Sequence, residues 1–70
     1  MSQWKAVKAT ELLKALESLG WRVKRMSGSH RVLEHEAHPD FVFAFHDREE
    51  IGPVMLSRVA KRTGLKPSDL

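Results

Sequence analysis

The sequence contains no cysteine, which excludes disulfides and thiolate metal sites and suits a reducing compartment. No apolar run approaches the roughly 20 residues of a membrane-spanning helix. The first residues also lack the apolar core of a signal peptide. The expected setting is therefore soluble and cytoplasmic, with no membrane partner. Internal repeats and low-complexity tracts are missing as well. No Ser-His-Asp triad, phosphate loop or zinc-finger spacing occurs, so the chemistries that need those arrangements have no support. A chain of 70 residues has room for one domain, expected over residues 1–70. A domain this small buries a low fraction of its surface, so a stabilising partner is expected.

One absence is local. No acidic residue lies between Leu19 and Leu33, a stretch that carries Arg22, Lys24, Arg25 and Arg31. Net charge is +3, and seven of the twelve Lys/Arg fall in residues 1–35 against three of the nine acids. The excess thus sits on the first helix and the segment after it, as a nucleic-acid footprint would. Mild basicity is also common in small domains, so charge alone names no partner.

Along the chain, Trp4 is the one large apolar residue before Val7, and residues 1–8 read either as a flexible arm or as a segment packed back onto the domain. Leu12, Leu13, Leu16 and Leu19 recur at helical spacing and predict a helix over residues 9–19. Thr10 reads as its N-cap and Gly20 as its left-handed stop. Residues 21–26 predict a strand, with Trp21 and Val23 inward and Arg22 and Lys24 outward. Ser27-Gly28-Ser29 makes the turn, and residues 29–36 form the second strand. The face of His30 is left open, because a bulge near the turn would rotate it. Residues 35–40 read as a turn punctuated by Pro39 and Asp40. A third strand is expected over 41–46, with Phe41, Phe43 and Phe45 on its core face. An acidic connection leads to a second helix that starts at Pro53 and stops at Gly64, with Leu56, Val59 and Ala60 buried. The fold class is α+β, in the order α-β-β-β-α: a three-stranded antiparallel sheet with two helices packed on one face.

A set of features in order resembles the HicA (YcfA-like) toxins of bacterial type II toxin–antitoxin systems. Gly20-Trp21 follows a Leu-rich helix, then come basic residues, then Gly28-Ser29-His30. An apolar strand ends in His46, Gly52-Pro53 opens a helix, and Leu56 to Leu65 completes the pattern, so the likeness spans roughly residues 8–70. The resemblance implies a double-stranded-RNA-binding-like fold and an endoribonuclease (an mRNA interferase) acting on mRNA through the His of the Gly-Ser-His motif. It also implies silencing by a HicB-like antitoxin in a hetero-oligomer. Ala44 departs from the family pattern, which usually has a proline two residues before the second His.

His30 is the candidate catalytic residue. RNA supplies its own nucleophile in the 2′-hydroxyl beside the scissile phosphate, so no metal and no cofactor is expected. An imidazole within hydrogen-bond reach can take that proton, a contribution typically of about 10²–10⁴-fold. Arg22, Lys24, Arg25 and Arg31 are candidates to position the RNA backbone or stabilise charge on the phosphorane. The alternative is a solvated strand whose cations keep it from pairing with other chains. Backbone amides at Gly28 and Ser29 are candidate phosphate contacts, since glycine permits close approach. His46 reads as an auxiliary acid or phosphate contact, or as a strand-end residue with a structural hydrogen bond. His35 and His38 form a His-x-x-His pair without a third convincing metal ligand and read as surface histidines. The rival reading of the whole chain is a non-catalytic RNA-binding or protein-interaction module of the same fold.

Overall fold

A computed structural model describes residues 3–70. Helix α1 (Ala9–Ser18) buries Ala9, Leu12, Ala15 and Leu16, the stripe set by helical spacing, while Lys14 and Glu17 face solvent. Leu19 and Gly20 close it, and Gly20 takes the left-handed φ of +99°. Thr10 does not cap this helix. The helix already begins at Ala9, and the N-cap position is Lys8, whose side chain makes no capping bond. The reason is a short strand, β1 (Val7–Lys8), that runs straight into the helix and pairs antiparallel with β5 (Glu50–Ile51). The Ala9 amide donates to the Glu49 carbonyl at 2.8 Å, so backbone satisfies a free first-turn donor that a hydroxyl cap would otherwise take.

The main sheet has the order β2-β3-β4, from β2 (Arg22–Ser27), β3 (His30–His35) and β4 (His38–Phe43). Both pairings are antiparallel. Leu33 of β3 and Phe43 of β4 are buried with Leu12, Leu16, Leu56, Val59 and Trp21 in one core. Phe41 and Phe45 pack on that core from its margin, whereas Val42, Ala44 and His46 are exposed. Val23 lies opposite Leu33 and so belongs to the core face, yet it is 37% exposed because β2 is an edge strand that the helices leave uncovered.

The third strand begins earlier than its sequence suggests. Glu36 and Ala37 alone make the turn, and β4 starts at His38, three residues before the expected Phe41. Pro39 and Asp40, which look like loop punctuation, lie inside the strand. The pairing shifts between His35↔His38 and Leu33↔Phe41, so β4 carries an extra residue there. A bulge on an edge strand is a place where proline is tolerated, because its missing amide breaks no ladder bond.

Helix α2 (Pro53–Thr63) starts with Pro53 in the first turn and ends at Gly64, φ +79°. Leu65 returns to the core, and a single 3₁₀ turn, Pro67–Asp69, follows. Setting aside the two-residue strands β1 and β5, the order is the α-β-β-β-α read from the sequence. Trp4 is half-buried against the core, while residues 1–2 of the expected arm lie outside the described residues.

Candidate functional site

The β2–β3 hairpin closes on two residues, Gly28 and Ser29, with Ser27 and His30 as the last cross-strand pair. Gly28 has φ +60°, and Ser29 does not have a positive φ. That combination matches a type II′ turn, which takes glycine at its first central position and follows the twist of the strands. The turn carries His30 at the outermost rung of β3, where its side chain is exposed.

Period-two alternation now places His30 on a face. Register runs unbroken from Ser27↔His30 through Met26↔Arg31 to Arg25↔Val32, and the bulge lies further along, between Val23 and Arg25. Leu33 points into the core, so Arg31 shares its face, whereas His30 and Val32 occupy the outer face of the sheet. Arg25 lies opposite Val32 on that outer face and is therefore the diagonal cross-strand neighbour of His30, within reach of a long side chain.

The four candidate cations are not equivalent. Lys24 Nζ is 3.0 Å from Asp40 Oδ2, an exposed ion pair across the outer face. Arg22 stands opposite Glu34 in the register. Arg31 is turned to the other side of β3, where its Nη2 donates to Asp47 Oδ1 at 2.8 Å. Arg25 is exposed and makes no ion pair among the described residues. Of the four, it alone joins His30 on one face without an acidic counterpart.

Gly28 and Ser29 lie against a second feature. With Arg31, Phe45, His46 and Asp47 they line a cavity of about 320 Å³ at the end of the sheet. His46 sits beyond the end of β4, exposed, and its hydrogen bonds are made by backbone: its amide donates to Glu49 Oε1 at 3.3 Å and its carbonyl accepts from the Glu49 amide at 2.9 Å. The structure thus groups Gly28, Ser29, Arg31 and His46 around the cavity and sets Arg25 and His30 on the opposite face of the sheet.

Two features escaped the sequence reading. Asp47 lies sixteen residues from Arg31, and no local pattern signals that the connection folds back to meet it. His35 and His38, read as surface residues, instead pack half-buried on Trp21, with ring centroids 5.1 and 5.4 Å from the indole. The Ala37 amide donates to His35 Nδ1 at 2.9 Å, which leaves Nε2 as the protonated nitrogen that donates to the Leu19 carbonyl at 2.9 Å. Both ring nitrogens of His35 are spent on structure. His35-x-x-His38 is a clasp between the second turn and the end of α1.

The family model described as the HicA toxin of bacterial toxin–antitoxin systems matches residues 9–65. The chain belongs to the HicA toxin family. It is accordingly the toxin component of a toxin–antitoxin system, with an antitoxin as its partner. The matched span runs from the first residue of α1 to Leu65, so it contains the hairpin, the His30 face and the cavity of this HicA chain. No curated protein and no solved structure shows a match. Among the described residues of this HicA chain, no helix is long and apolar enough to cross a membrane.

Proposed function

We propose that this HicA chain is an mRNA-cleaving endoribonuclease that works without a metal, with His30 as its general acid/base. The observation that carries the reading is the exposed His30 imidazole at the tip of a glycine-set turn, with Arg25 as its diagonal neighbour on an open sheet face. An imidazole there can meet a 2′-hydroxyl without moving any packed element. It can take the proton as the oxygen attacks the adjacent phosphorus. Arg25 is close enough to pair with charge that builds on the non-bridging oxygens. Arg22, Lys24 and the Gly28 and Ser29 amides hold neighbouring backbone, and His46 is an auxiliary contact. The reaction takes place in the cytoplasm.

A HicB-like antitoxin forms a hetero-oligomer with the chain and silences it. The exposed sheet face is the surface such a partner must cover or distort to block His30. Expression in cells tests this reading. The chain alone should arrest growth and fragment mRNA, whereas His30→Ala should be tolerated. Toxicity that persists undiminished in the variant would contradict it.

A further inference from the structure

The cavity between the Gly28–Ser29 turn and the Phe45–Asp47 segment contains a contradiction in its hydrogen bonding. Arg31 contributes a guanidinium that is mostly covered, with 16% of its side chain exposed. Nη2 is held by Asp47, but Nη1 is buried and has no hydrogen-bond partner among the described residues. A buried charged donor without an acceptor is unfavourable, and such groups are uncommon in folded proteins. The guanidinium fork is shaped to give two parallel bonds to an anion such as phosphate. Asp47 Oδ1 engages one nitrogen of that fork at 2.8 Å.

The rest of the lining suits the same ligand class. Ser29 adds a hydroxyl, His46 adds a ring free of side-chain hydrogen bonds among the described residues, and Phe45 adds an apolar wall. A volume of about 320 Å³ accommodates a phosphate with its sugar. Arg31 and His30 are consecutive residues on opposite faces of β3. A phosphate on Arg31 is therefore not the one whose neighbouring 2′-hydroxyl meets His30.

We propose that this cavity is a subsite for an RNA phosphate flanking the scissile one, with Arg31 as its clamp and Asp47 as a built-in competitor for the guanidinium. The proposal rests on the reading of the chain as an RNA-cleaving enzyme. Asp47 is well suited to give way, because its side chain is 59% exposed and its loop turns at Asp47–Arg48. An ion pair with one partner so exposed is weak, so a phosphate can take the place of Asp47 on Nη2. Nη1, which solvent does not reach while the carboxylate is in place, pairs only once Asp47 has moved. The carboxylate keeps the clamp neutralised and lowers the affinity for any single phosphate. Chains of phosphates with a correct neighbour at His30 are then favoured over isolated anions.

The test uses the full chain and two probes: inorganic phosphate followed by NMR, and a single-stranded RNA followed by cleavage. Phosphate should shift the Ser29 amide and the Arg31 Nε–Hε signal. Asp47→Asn, a surface change that leaves the fold intact, should tighten phosphate binding by up to about fivefold, the usual worth of such a pair. Arg31→Gln should weaken it by about tenfold or more, with Arg31→Lys between, following the loss of charge-assisted bonds. In cleavage, Arg31→Gln should raise KM more than it lowers kcat, the sign of binding shared by ground and transition states. Unchanged or weaker phosphate binding in Asp47→Asn overturns the proposal even if the Arg31 variants fail to fold. His30-dependent cleavage without phosphate signals at Arg31 overturns the subsite alone. Phosphate binding at Arg31 in a chain that cuts no RNA overturns the nuclease reading instead.

Discussion

The indole Nε1 of Trp21 donates to the main-chain carbonyl of Thr63 at 3.2 Å, across 42 positions of sequence. Thr63 is the last residue of α2, and its carbonyl is one of those a helix end leaves unpaired. The bond ties the residue that opens the basic hairpin to the end of the second helix. Trp21 is 1% exposed and also carries the His35 and His38 rings, so it is the joint between core and hairpin. Trp21→Phe keeps an aromatic ring but strands the carbonyl, and should destabilise the domain by about 1–3 kcal/mol. Urea unfolding checks this, and a variant as stable as the parent would contradict it.

The two turn glycines of the hairpin region should differ in what they tolerate. A Cβ on Gly20 would stand 3.1 Å from His35 Nε2, in addition to the strain of a side chain at φ +99°. Gly28 has φ +60° and nothing within 4 Å of the same added atom. Gly28→Ala should therefore cost only the conformational part, about 1–2 kcal/mol. Gly20→Ala should cost more, because it also pushes on the ring that bonds Leu19. Equilibrium unfolding of the two variants side by side decides it. Equal losses would mean that the His35 clasp has little energetic weight.

Much of this architecture was legible from the spacing of apolar residues. Leu12 and Leu16, then Leu33 and Phe43, then Leu56 and Val59 mark one face of each element, and those faces meet in the core. What the sequence hid was non-local. The two-residue strands at Val7 and Ile51 are too short to carry a period, and only their pairing displaces the cap from Thr10. Pro39 reads as a breaker until the edge position and bulge of β4 are known. In the site, the Gly28-Ser29-His30 turn is local and could be read directly. The Arg31–Asp47 pair and the His35 clasp each join residues sixteen apart, and no neighbour in sequence announces them.

RNA binding should separate the cations of the outer face. Arg25 faces solvent beside His30 with no acid opposite, whereas Lys24 already pairs with Asp40 at 3.0 Å. Arg25→Ala should weaken affinity for single-stranded RNA and lower the slope of log K against log salt by about one. Lys24→Ala should move that slope less. Binding isotherms at several salt concentrations provide the check. A larger change for Lys24 would mean that RNA lies over the Asp40 side of the sheet instead.

The central claim is tested most directly by cleavage of one defined RNA by the purified chain and its His30→Ala variant. The substitution lies on an exposed rung of β3, so fold and charge are retained and RNA should still bind. Cleavage should slow by at least about 10²-fold, following the usual contribution of a general acid or base. EDTA should change neither rate. Cleavage by the variant at the parental rate, in preparations free of other nucleases, would contradict the assignment of His30. Binding without cleavage by either protein would make the chain a binding module instead.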